Sequence, residues 1–170
     1  MNKIKAFKNL TSFALSDIIF PDFPIDQFTE FLCMHEKLET LSLSKINEDG
    51  TKLFSAICEC EPLICAIHMN EIVFSTQMIS DEEDKKIFMP PNLVFVDLSR
   101  SKLINDSLQS IFKLLVSYCM KQNFLSVNLS YLDPPSNKWI KTFKSIDLKK
   151  CNPNIIDFDW SGNFISQHLF

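Results

Sequence analysis

The chain alternates between short phrases of the form apolar-x-x-apolar-x-apolar and longer segments with helical spacing. The clearest phrase is Leu93, Val96 and Leu98, followed by Ser99-Arg100-Ser101. The same phrase is read at Leu10, Phe13 and Leu15, and at Leu38, Leu41 and Leu43. It returns at Leu63, Ala66 and His68, at Phe124, Val127 and Leu129, and at Ile155, Phe158 and Trp160. The first positions lie 28, 25, 30, 31 and 31 residues apart. Self-similarity at such a period marks a repeat architecture, in which each unit buries its apolar face only by stacking on its neighbours. The third copy is the least regular, with Ala66 and His68 where large apolar residues belong.

Helical patterns separate the strand phrases. Ile25, Phe28, Phe31 and Leu32 follow Pro24, which suits a first turn. Leu53, Ala56, Ile57 and Cys60 follow Asn47-Glu48-Asp49-Gly50, a helix entry. Leu108, Ile111, Phe112, Leu115 and Cys119 follow Asn105 or Asp106 as N-cap. Trp139, Ile140, Phe143 and Ile146 follow Pro134-Pro135-Ser136. Between the third and fourth strands the charged run Ser80 to Lys86 and Met89-Pro90-Pro91 predict at most a short helix or an irregular loop. One strand and one helix per unit, in parallel, predict a single α/β solenoid domain over residues 1–170. The uncapped ends leave the domain open to being a segment of a longer array, or to associating with another copy of itself.

Composition narrows the function classes. Two glycines are too few for a phosphate cradle of the usual kind, and no G-x-S-x-G or H-E-x-x-H motif occurs. A net charge of −4 gives no general attraction to nucleic acid. No run reaches the roughly 18 apolar residues of a spanning helix, so membrane insertion is not expected. The six cysteines, Cys33, Cys58, Cys60, Cys65, Cys119 and Cys151, fall in apolar segments. They read as reduced core residues of a cytoplasmic protein. Cys58, Cys60, Cys65 and His68 form the densest candidate metal set, but their spacing matches no paired zinc pattern and their directions diverge. His68 reads as an inward core histidine. His35 and His168 have no nucleophile at a motif distance. The chain is therefore expected to be non-catalytic, with no metal and no cofactor.

The phrases Leu93-Val94-Phe95-Val96-Asp97-Leu98-Ser99 and Leu38-Glu39-Thr40-Leu41-Ser42-Leu43-Ser44 resemble leucine-rich repeats. Ile46 to Leu53 and Leu103 to Leu108 are similar to the turn into the helix of the long, ribonuclease-inhibitor-like subclass, and the Leu-Ser strand ends resemble the repeat region of CARMIL-type actin regulators. The resemblance implies a right-handed horseshoe arc of about six strand–helix repeats, its parallel sheet on the concave face. That family places Asn three residues after the last strand leucine, where it satisfies turn backbone. Here those slots hold Ile18, Ile46, Glu71, Ser101, Leu132 and Asn163. Only the last fits, so the other turns need different hydrogen-bond partners.

With the phrase residues pointing inward, the alternate residues form the outer face of the sheet. That face is read as Ser12, Ala14 and Ser16, Thr40, Ser42 and Ser44, Cys65, Ile67 and Met69, then Phe95, Asp97 and Ser99. It continues through Ser126, Asn128 and Ser130 to Asp157, Asp159 and Ser161. The candidate partner-binding residues are Ile67, Met69, Phe95, Asp97, Ser126, Asn128, Asp157 and Asp159. An apolar strip beside an acidic one suits a protein partner with basic and hydrophobic residues, of unspecified identity.

Overall fold

The computed structural model of the chain describes residues 9–60, 63–75, 89–104, 125–133, 156–159 and 161–163, with positions 107, 110, 111, 114, 115 and 118. It is a mixed α/β structure. Six strands form one all-parallel sheet: β1 (Ser12–Ser16), β2 (Thr40–Ser44), β3 (Ala66–Asn70), β5 (Phe95–Asp97), β7 (Leu125–Asn128) and β8 (Ile156–Asp159), adjacent in that order. The register runs from Ser12 through Thr40, Ala66, Phe95 and Ser126 to Asp157. Within this sheet the strands are therefore adjacent in chain order, the pattern expected when successive units stack.

The third unit corrects the sequence reading by one residue. Leu41 pairs with Ile67 and Leu43 with Met69. Ile67 and Met69 are fully buried, whereas His68 lies between them on the other face. The phrase that folds inward is Ile64, Ile67 and Met69, and Leu63 is left half exposed. A one-residue shift of register exchanges the two faces of a strand. Three large apolar side chains gain burial in this register, which the Leu63, Ala66 and His68 register could not match.

Two complete helices are described, α1 (Ile25–Met34) and α2 (Gly50–Glu59). In α1 the apolar positions Phe28, Phe31 and Leu32 are buried. The helix ends at His35, a buried ring stacked on Phe31 whose Nδ1–H donates to the Phe31 carbonyl at 2.7 Å. In α2 the N-cap is Asp49, which accepts from the Thr51 N–H at 2.8 Å. Asp49 also accepts from the Ser75 hydroxyl, tying the start of α2 to the chain beyond β3. Leu53, Phe54, Ala56 and Ile57 of α2 share one buried cluster with the helix α1 stripe and the inward strand residues. Ser107, Ser110, Ile111, Leu114, Leu115 and Tyr118 are helical and buried. The Tyr118 hydroxyl donates to the Leu93 carbonyl at 2.8 Å, just before β5. The helix read over Trp139 to Ile146 and the run Ser80 to Lys86 lie outside the described residues, as do His168 and the residues after Asn163. Among the described residues no helix is long and apolar enough to cross a membrane.

A second, two-stranded parallel sheet pairs β4 (Val73–Phe74) with β6 (Lys102–Leu103). Phe74 is fully buried, and its ring lies against Gly50, where an added Cβ would sit 2.7 Å from it. Gly50→Ala is therefore expected to destabilise. Overpacking costs about 1–3 kcal/mol, only partly offset by the roughly 0.5–1 kcal/mol that alanine gains in a helix. Urea unfolding should show a lower midpoint with an unchanged slope.

Cys33 and Cys60 form a disulfide, with their Cα atoms 5.0 Å apart. This corrects the expectation that all six cysteines are free thiols. The two residues stand at the C-terminal ends of α1 and α2, one unit apart, so stacking of the helices brings them together. The cysteine usage consequently no longer argues for a reducing compartment.

Candidate functional site

Each strand of the large sheet leads into a turn built on a left-handed residue. Asp17, Lys45, Glu71, Arg100 and Tyr131 have φ between 50° and 59°, and Gly162 has φ 71°. The N–H of each of the first five donates to a carbonyl one strand on, from Asp17 to Ser44 at 3.1 Å through Tyr131 to Ser161 at 2.9 Å. Polar side chains complete these turns. Asn163 accepts from the Leu132 N–H at 2.7 Å and donates to the Leu129 carbonyl at 2.6 Å. Ser101 does the same two units earlier. Its hydroxyl donates to the Met69 carbonyl at 2.8 Å and accepts from the Ile72 N–H at 3.1 Å. At the first turn Asn47 spans the N–H and carbonyl of Phe20. Two of the five slots without asparagine are thus served otherwise, one by Ser101 in the same slot and one by Asn47, one residue along.

On this frame the sheet has two unlike faces. One is closed by α1, α2 and the residues around Ile111. The other carries, in register, Ser12, Thr40, Ala66, Phe95, Ser126 and Asp157 in one row. The next row holds Ala14, Ser42, His68, Asp97, Asn128 and Asp159. All twelve are partly or fully exposed. Six of the eight sequence-derived candidates are therefore brought together: Phe95, Asp97, Ser126, Asn128, Asp157 and Asp159. Ile67 and Met69 are not among them; they belong to the core. Ala66, His68 and Asn70 take their places. The sequence signal for this was Ile64-Cys65-Ala66-Ile67-His68-Met69, which fits the strand phrase with larger residues one position later.

Phe95 is the large apolar side chain of the described face, half-buried between the small residues Ala66 and Ser126. Its ring centroid is 5.1 Å from that of His68. The imidazole Nδ1 lies 3.6 Å from Asp97 Oδ2. Asp97 also accepts from the Ser99 N–H at 2.9 Å, and Asn70 Nδ2 donates to the Ser99 hydroxyl at 2.9 Å. Asn128 and Asp159 repeat the Asp97 turn, accepting from the N–H of Ser130 at 3.0 Å and of Ser161 at 2.9 Å. These three residues thus have a structural task, locking the strand ends.

Burial alone would raise the Asp97 carboxyl, but His68 and the donors at Ser99 and Asn70 outweigh it and hold it at about 2. A depressed carboxyl contributes stability above its unfolded value, and that contribution is lost as pH falls through the folded value. The wild-type midpoint in thermal melts should drop between pH 4 and pH 2. Asp97→Asn keeps the turn, as Asn128 does, and removes the charge. Its melting point should fall less over the same interval. An equal fall in both proteins would assign the acid limb to other groups.

The candidate metal set does not assemble. Cys60 is in the disulfide, and burial pushes the Cys58 thiol up to about 12, far from the thiolate a metal needs. Among the described residues no group of three or more metal-ligating side chains converges. No family model, curated protein or solved structure matches the chain.

Proposed function

We propose that the chain is a leucine-rich-repeat solenoid, curved with its parallel sheet on the concave side, that acts as a non-catalytic scaffold and binds a segment of a partner protein on that sheet. One observation carries the reading. Parallel sheets are normally covered on both faces, yet among the described residues this one has an open face of six adjacent strands with an aromatic side chain near its middle. The strand-to-strand register, the left-handed residue after every strand of the large sheet and the Asn163 and Ser101 turn bonds support the repeat reading. The reading also requires that no helix cross a membrane, and none among the described residues is long and apolar enough to do so.

Capture from cell extract followed by mass spectrometry tests it, with wild type compared with Phe95→Ala plus Asp157→Lys. Both positions are on the open face, and neither fills the core. Proteins retained by wild type should be lost from the double variant while its melting point stays within a few degrees. Identical profiles would remove the open face as the binding surface.

A further inference from the structure

The open face is polarised along the direction that crosses the strands. Its β1–β2 end, two of the six strands, is small and uncharged: Ser12, Ala14, Ser16, Thr40, Ser42 and Ser44. Its far end, β8, carries two exposed carboxylates, Asp157 and Asp159. The third carboxylate on the face, Asp97, is already occupied by His68 and Ser99, and its side chain is only 15% exposed. Charge on offer to a partner is therefore concentrated at β8. No lysine or arginine lies in the two described rows to neutralise it.

Building on the scaffold reading, we infer that the occupant of this face is a peptide segment lying across the strands, with an apolar side chain packed on Phe95 and a lysine or arginine held by Asp157 and Asp159. Phe95 and Asp157 share a row and are two strands apart, so the two contacts are separated by about 10 Å, twice the strand spacing. Small neighbours at Ala66 and Ser126 leave room for an apolar group beside the Phe95 ring. The carboxylates lie two residues apart on one strand, about 7 Å, within the span of one guanidinium or of two adjacent cations. Charge complementarity selects the class of partner, and the uncharged β1–β2 end fixes its direction, with the basic end toward β8.

The test uses the full chain, immobilised, and a phage-displayed library of random 12-residue peptides. Selected peptides should be rich in lysine or arginine together with an apolar residue. Their affinity should fall at least tenfold for Asp157→Asn plus Asp159→Asn and for Phe95→Ala. Asparagine at 159 preserves the turn, as Asn128 shows, so the double variant folds. Raising salt from 50 to 500 mM should weaken the wild-type complex more than the double-variant one. Selection on Asp157→Lys should lose the basic peptides. Peptides lost with Phe95→Ala but indifferent to the aspartates would overturn the cation site and leave the scaffold reading standing. Peptides indifferent to all variants, or no enrichment over the bare surface, would overturn both.

Discussion

Ile67→Asp should leave no folded protein at neutral pH, while His68→Ser, one residue along, should melt within a few degrees of wild type. Ile67 is completely buried between Leu41 and Val96 in the sheet register. A carboxylate there has no partner and loses its water, a penalty on the order of 5 kcal/mol. That is comparable with the whole stability of many domains, about 5–15 kcal/mol. Serine at 68 gives up only a half-exposed ring and a long contact with Asp97, worth about 1 kcal/mol. Circular dichroism melts of the two variants separate the registers cleanly. If Ile67→Asp melted like wild type and His68→Ser unfolded, the third strand would present the opposite face, and Phe95 would lose the neighbour that defines the proposed site.

Removing the disulfide should have the next largest effect. Cys33 and Cys60 are 27 residues apart. A cross-link closing a loop of that length restricts the unfolded chain by about 3.5 kcal/mol in the chain-entropy description. Cys33→Ser plus Cys60→Ser should therefore lower the melting point by about 7–14 °C, given roughly 2–4 °C per kcal/mol for a chain of this size. A reductant should produce the same drop in wild type and none in the double variant. No change in either case would mean that the two thiols stand side by side without being bonded. The free thiol count under denaturing conditions gives an independent reading, two higher after reduction.

Much of the fold was legible in the alternation of the chain. The strand phrases at Phe13, Leu41, Val96 and Val127 place the inward column directly, because a large apolar residue on every second position has one sensible direction. The stripes of α1 and α2 were equally plain, down to Asp49 and Gly50 at the entry of α2. The third strand was misread because two overlapping phrases compete, and leucine at 63 drew the alignment away from isoleucine at 64. Strands β4 and β6 are two residues long, too short to carry any alternation. The disulfide was invisible to a repeat aligned on strands; its cysteines match only when the period is carried over to the helix ends.

The site divides in the same way. Phe95, Asp97, Asn128 and Asp159 followed from alternation alone. The turn-locking role of the last three did not, because it depends on a backbone N–H two residues ahead adopting the right geometry. Ser101 was passed over as a departure from asparagine. A hydroxyl donates and accepts at once, and at a buried position that is enough to satisfy a carbonyl and an amide together.

The side-chain bonds of Asn47, Ser101 and Asn163 that link a turn to its neighbour all run the same way along the chain. Phe20 is served by Asn47, Met69 and Ile72 by Ser101, and Leu129 and Leu132 by Asn163. Every such turn borrows its polar partner from the unit made after it. On a ribosome, these units would stay unfinished until their successors emerge, and order would spread from the N-terminus one unit behind synthesis. A chain cut short before Ser101 would carry a frayed last turn at Met69, however well its own residues fitted the repeat.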